Sequence, residues 1–98
     1  MPDAGPVSLR LDKWLWFARL ARSRARAVAL IEAGHVRLNG ARTEQASRAV
    51  RVGDVLTAAL EGRTLVLRVA ALPERREAYE RARTAYEPLE PGPEPPEA

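Results

Sequence analysis

The sequence predicts an α+β fold in which two N-terminal helices lie on a small antiparallel sheet and a C-terminal helix closes one side. Three observations carry this reading. Apolar residues recur at helical spacing through residues 11–20 and again through 23–33, and from Val36 the period switches to two. The pairs Asn39-Gly40, Gly53-Asp54 and Glu61-Gly62 then punctuate the alternating segments with turns.

Residues 1–8 carry no periodic pattern and are expected to be disordered. In the first helix, at about 100° per residue, Leu11, Trp14, Leu15 and Ala18 share one face, which should be the core side, while Trp16 points away. Ala21-Arg22-Ser23 breaks the pattern. Ser23 is placed to cap a second helix that runs to Ala33 and stops at Gly34, the C′ position that favours a left-handed backbone. Its buried stripe is Ala27, Leu30 and Ile31, with Arg24 and Val28 along one edge and Arg26, Ala29 and Ala33 opposite.

In the first strand Val36 and Leu38 face one way and His35, Arg37 and Asn39 the other, and Asn39-Gly40 is a type I′ hairpin signal. Residues 41–49 are polar and expected to be irregular, with Val50 and Val52 returning to the sheet. A second hairpin follows, Val55–Leu60 with Thr64–Ala71. The C-terminal helix is expected within residues 73–87, supported by pairs such as Glu77 with Arg81. Residues 88–98, rich in Pro and Glu, are expected to form a disordered acidic tail. Residues 9–72 thus make one domain, and the length leaves no room for a second.

The chain has 98 residues, no Cys and one His, which excludes a disulfide framework, thiol catalysis and a structural zinc site. No apolar run approaches the roughly 18 residues of a membrane span. The start of the chain lacks the basic and apolar regions of a signal peptide, so the cytoplasm is the expected compartment. The net charge of +3 is unevenly placed: residues 8–60 carry +6 and residues 61–98 carry −2. A polyanion such as RNA suits the basic part, because phosphate neutralisation releases counterions. Composition alone is equally compatible with a solvated arginine-rich surface.

Catalysis is not expected. His35 has no nucleophile or second His to work with, the acids show no paired spacing, and both Gly-rich phosphate-loop patterns are missing. No cofactor or metal is called for. The informative group is basic: Arg10, Lys13, Arg19, Arg22, Arg24, Arg26, Arg37 and Arg42 fall within two helices and one hairpin. Arg22, Arg24 and Arg26 surround the start of the second helix, where backbone N–H groups and the helix dipole favour a phosphate. Asp12, in the first helical turn, is placed to orient Arg10 or a neighbouring arginine. Trp14 belongs to the core, whereas Trp16 either packs beneath the C-terminal helix or stacks on an unpaired base. His35 and Asn39 are candidates for sugar or phosphate contacts, or serve the turn alone.

Four strings occur in order across about residues 9–60: Arg10-Leu-Asp-Lys-Trp-Leu-Trp16, Arg22-Ser-Arg-Ala-Arg-Ala27, Gly34-His-Val-Arg-Leu-Asn-Gly40 and Val52-Gly-Asp-Val55. Together they resemble the RNA-binding domain named after ribosomal protein S4, the αL motif. The Trp-Leu-Trp of the first helix, Glu74-Arg-Arg-Glu-Ala78 and Tyr86-Glu87 are similar to the bacterial ribosome-associated heat-shock protein 15 family, which carries the resemblance to about residue 87.

The resemblance implies a ribosome-bound protein that contacts large-subunit ribosomal RNA and tRNA when a blocked nascent chain remains attached, in stalled-ribosome recycling or the heat-shock response. A short ribosome quality-control factor that assists tail elongation shares the domain and is the alternative within the family. The acidic residues 88–98 depart from the family's basic C-terminal stretch. Carried over position by position, the RNA surface comprises Arg10, Asp12, Lys13, Arg22, Ser23, Arg24, Arg26 and Asn39. Arg37, with Trp16 and Arg42, is added from the residues themselves. A monomer is expected, with no membrane partner. A protein-interaction adaptor built on the Tyr79/Tyr86 segment and the acidic tail is a second class of function. DNA is disfavoured, because the second helix lacks the long polar side chains that read base edges.

Overall fold

The computed structural model describes residues 7–60 and 62–89. A two-residue strand β1 (Leu9–Arg10) leads into helix α1 (Leu11–Phe17), and helix α2 spans Arg24–Glu32. Strands β2 (Val36–Leu38), β3 (Ala41–Arg42), β4 (Ala49–Val50), β5 (Val55–Leu60) and β6 (Arg63–Val69) follow. The described chain closes with helix α3 (Tyr79–Ala82), a 3₁₀ turn at Arg83–Ala85 and strand β7 (Tyr86–Pro88). The main sheet is antiparallel with strand order β3-β2-β5-β6-β7, and β1 pairs separately with β4. Two N-terminal helices on an antiparallel sheet confirm the α+β class.

Both long helices end by the same device. After α1, Arg19 adopts φ 64°, its N–H donates to the Trp16 carbonyl at 3.0 Å and the Leu20 N–H reaches back to Leu15 at 2.9 Å. That is the Schellman pattern. It stops the helix at Phe17, short of Leu20. After α2, Gly34 has φ +86°, and the N–H groups of Gly34 and His35 close on Ile31 and Leu30, both at 3.0 Å. A Cβ at position 34 would also meet the Arg42 guanidinium, the mobile end of an exposed side chain, so the left-handed backbone is the main demand for glycine here.

The core lies between the helices and one face of the sheet. Leu11, Trp14, Leu15 and Ala18 from α1, with Ala27, Leu30 and Ile31 from α2, pack on Val36, Leu38, Leu56, Ala58, Leu67 and Val69. The Trp14 indole N–H donates to the Ala71 carbonyl at 3.0 Å, so its polar atom is satisfied inside. Loss of the Trp14 ring to Ala would cost about 3–5 kcal/mol by the usual core-cavity rule.

Asn39 (φ 52°) and Gly40 (φ 86°) form the β2–β3 turn, with Leu38 opposite Ala41. Both left-handed residues are what a type I′ turn requires. Within the polar stretch 41–49, Ala41–Arg42 completes that hairpin. Ala49 and Val50 pair with Arg10 and Leu9. Val50 is buried as expected, but Val52 is 59% exposed and takes no part in the sheet.

The expected C-terminal helix is the main correction. Only Tyr79–Ala82 is α-helical, and Tyr86–Pro88 instead extends the sheet, with Val69 opposite Tyr86 and Leu67 opposite Pro88. Helical propensity there has little apolar face to anchor it, since Ala82 and Ala85 are its buried residues. The free edge of β6 offers both hydrogen bonds and burial of the Tyr86 ring, which meets Trp14 edge-on at 6.4 Å. Pro88 is tolerated because β7 is an edge strand. Glu77 reaches Arg75 (3.4 Å) rather than forming the expected pair with Arg81. Residues 1–6 and 90–98, most of the two segments where disorder is expected, lie outside the described residues; of the expected tail, Pro88 instead ends β7 and the Leu89 N–H donates to the Val66 carbonyl at 2.8 Å.

Candidate nucleic-acid interface

A buried carboxylate organises the basic end of the molecule. The N–H groups of Leu11 and Asp12 donate to the carbonyls of Arg48 (2.9 Å) and Ala46 (3.1 Å), anchoring the first turn of α1 beneath the loop before β4. This seats the Asp12 side chain inside, with 1% of it exposed. Arg10 grips it with two bonds, Nε to Oδ1 at 3.1 Å and Nη2 to Oδ2 at 3.0 Å. Arg24, in the first turn of α2, donates from Nε to Oδ2 at 3.3 Å, and the Lys13 N–H donates to Oδ1 at 2.8 Å.

Burial by itself would raise the Asp12 pKa. The hydrogen bonds from Arg10 and Lys13, the Arg10 charge and the Arg24 bond outweigh it, so the carboxyl is held below its ordinary value. The same contact raises the Arg10 pKa, first through the hydrogen bond and then through the charge. One buried negative charge thus holds two partly exposed positive groups beside Lys13.

Ser23 caps α2: its Oγ accepts the Arg26 N–H at 3.0 Å. That N–H is therefore spent on the cap and is not free for a phosphate. The arginines around the helix start do not form one cluster. Positions 24 and 26 lie about 200° apart around a helix. Arg24 turns to Asp12, whereas Arg22 and Arg26 line a groove on the other side.

A third group lies at the hairpin. Arg37 and Arg42 sit opposite each other on β2 and β3. Arg42 also pairs with Glu44 at 2.9 Å and lies against Gly34. Asn39 is committed to structure: its amide donates to Asp54 at 3.2 Å, its side-chain oxygen accepts the Val55 N–H at 2.9 Å, and its backbone N–H bonds to the Val55 carbonyl at 2.7 Å. His35 is exposed and borders a recess of about 300 Å³ with Arg26 and Arg63. Trp16 packs rather than standing free, with Arg76 over its ring at 6.0 Å and Phe17 beside it at 5.6 Å. Of the residues read from the sequence, Arg10, Asp12 and Arg24 are thus brought together by their side chains and Lys13 joins them through its backbone N–H, Arg22 and Arg26 are set apart, and Arg37, Asn39 and Arg42 form the hairpin group.

Residues 9–56 match the S4 domain family, the segment that builds the Asp12 cluster and the hairpin. Heat shock protein 15 of Escherichia coli K12 is 37% identical over 87 residues, covering 89% of this chain and 65% of the relative. The heat shock protein 15 homolog of Aeromonas salmonicida is 34% identical over 89 residues, covering 91% and 67%. The chain belongs to the heat shock protein 15 family.

Among solved structures, the trimeric heat shock protein 15 of Vibrio cholerae superposes with a TM-score of 0.79 at 29% identity, covering 84% of this chain and 82% of that one. The shared fold therefore covers more of the chain than the S4 segment alone. This chain spans 65% of the length of the E. coli member.

Sequence reasoning missed Arg63, Arg76 and the two tyrosines as neighbours of Arg22 and Arg26. No local motif marks them. They converge through the tertiary fold: Arg63 starts β6, Arg76 bonds the Trp16 carbonyl, and β7 brings Tyr86 back along β6.

Proposed function

We propose that the chain is a non-catalytic RNA-binding protein that docks structured RNA on the face carrying Arg10, Lys13 and Arg24, with the Asn39 hairpin alongside. The observation that supports this reading most is the buried Asp12 carboxylate. By fixing Arg10 and Arg24 in place it lowers the entropy lost when their guanidiniums meet phosphates, which a set of freely rotating surface arginines would have to lose. Recognition of this kind is shape-led, since phosphate contacts position a protein without reading bases.

The target is large-subunit ribosomal RNA with tRNA bearing a blocked nascent chain, met in the cytoplasm by a monomer of this chain. Family membership supports that target, and recycling of the stalled subunit is the process it serves. Charge reversal tests the proposal. Arg24→Glu should abolish co-sedimentation with large ribosomal subunits while circular dichroism remains that of the wild type. With about five phosphates contacted, the log-log dependence of affinity on salt should have a slope of about −4. Retained co-sedimentation by a folded Arg24→Glu chain, or a flat salt titration, would refute the RNA reading and favour a protein adaptor.

A further inference from the structure

On the side of α2 away from Asp12, the α1–α2 connection, the first turns of α2 and strands β5, β6 and β7 enclose a groove of about 590 Å³. Its size falls within the range of small-molecule and cofactor sites, roughly 300–1,000 Å³. The floor is apolar, with Leu60, Leu65 and Leu67 contributed by the sheet. Five arginines line it: Arg19, Arg22, Arg26, Arg63 and Arg76. None of the five is ion-paired to a carboxylate among the described residues.

Two of them are held by backbone carbonyls. Arg19 Nε donates to Glu77 at 2.7 Å, and Arg76 Nε donates to Trp16 at 3.2 Å while its guanidinium lies over the Trp16 ring. These bonds fix the groups without neutralising them. Tyr79, which is 59% exposed, and Tyr86 complete the lining. An apolar floor, two tyrosines and five guanidiniums with no ion pair among the described residues match a ligand that is polyanionic along one edge and flat and apolar along the other.

We propose that this groove takes an unpaired segment of RNA, its phosphates on the arginines and a base on Tyr79. The proposal rests on the RNA-binding reading and adds a second, single-stranded subsite to it. A recessed groove does not admit the convex side of a duplex, whereas a single strand can lay its backbone along the arginines and turn a base inward. Arg83 lies over one side of the Tyr79 ring at 5.9 Å, and a base would take the other; an acidic peptide would satisfy the charges but leave that ring face and the leucine floor without a matching surface.

The test titrates the full chain with penta-adenylate and follows backbone amide shifts by NMR. Saturable shifts should concentrate at Arg19–Arg22, Arg63–Leu65, Tyr79 and Tyr86. Tyr79→Ala and Arg63→Glu should each weaken penta-adenylate about tenfold, in line with the usual loss on removing one stacking partner, and leave structured-RNA binding intact. Arg24→Glu should do the reverse. Penta-adenylate bound equally well by the wild type, Tyr79→Ala and Arg63→Glu chains would overturn the groove proposal and leave the structured-RNA reading standing. So would equal shifts and affinity with an oligoglutamate of the same charge. Groove shifts that ignore penta-adenylate but respond to Glu90→Gln, Glu94→Gln and Glu97→Gln together would assign the groove to the chain's own acidic residues and also overturn it.

Discussion

At Asp12 a carboxylate with 1% of its side chain exposed meets guanidiniums that are 48% exposed at Arg10 and 40% exposed at Arg24. The energetic consequence lies with the carboxylate, because solvent screens the arginine side of each pair. Asp12→Asn should cost about 1–2 kcal/mol, the value of hydrogen bonds to a charged acceptor reduced for that screening. Its pH dependence has a definite sign. The folded carboxyl titrates below its unfolded value of about 3.9, so the folded state binds fewer protons in between. The Asp12 contribution is complete above the unfolded value and disappears as pH falls through the lowered folded one. Urea midpoints measured from pH 6 downward should therefore drop less steeply below about pH 4 in Asp12→Asn than in the wild type. Equal slopes would show that another carboxyl governs acid unfolding. The acid among basic residues was visible in the sequence, and so was its orienting role. Its second arginine, twelve positions away, was not, because that pairing depends on how α1 and α2 cross.

Elements with local stop and start signals were the ones legible beforehand. The Ser23 cap and Gly34 terminator bracket α2, and the Asn39-Gly40 turn fixes the β2–β3 register. The α1 terminator was invisible because Arg19, not a glycine, occupies the left-handed position. A β-branched residue there would be worse still. Segment 73–87 failed for a different reason: its charges read as helical, while the deciding partner, the edge of β6, lies some twenty residues earlier. Hydrogen exchange separates the two descriptions. The Leu89 amide, bonded to the Val66 carbonyl at 2.8 Å, and the Ala70 amide, bonded to Ala85 at 2.8 Å, should be protected. The amides of Arg75 and Arg76, which precede α3 in irregular chain, should exchange early. The opposite order would restore a continuous C-terminal helix.

For the whole molecule, the division of charge between the halves of the sequence does not survive folding as a division of space. Arg63 and Arg76 come from the acidic half, yet β6 and the segment before α3 carry them to the groove beside Arg22 and Arg26. Charge counting along the chain therefore identified the Asp12 face and missed the groove. Both basic surfaces flank the same short helix, with Arg24 committed to one side and Arg26 to the other, so one element orients two independent sets of cations.

Asp12 also ties the proposed RNA face to structural integrity. Arg10 ends the first strand and Arg24 opens the second helix, and they share a carboxylate only when α1 is seated against the loop before β4. An unravelled chain keeps its net charge and loses the spacing of its cations, so the proposed face exists only in the folded chain. Structured-RNA affinity followed through a urea titration should fall with the same midpoint as tryptophan fluorescence. Affinity that outlasts the fluorescence change would mean that charge alone, without arrangement, holds the RNA.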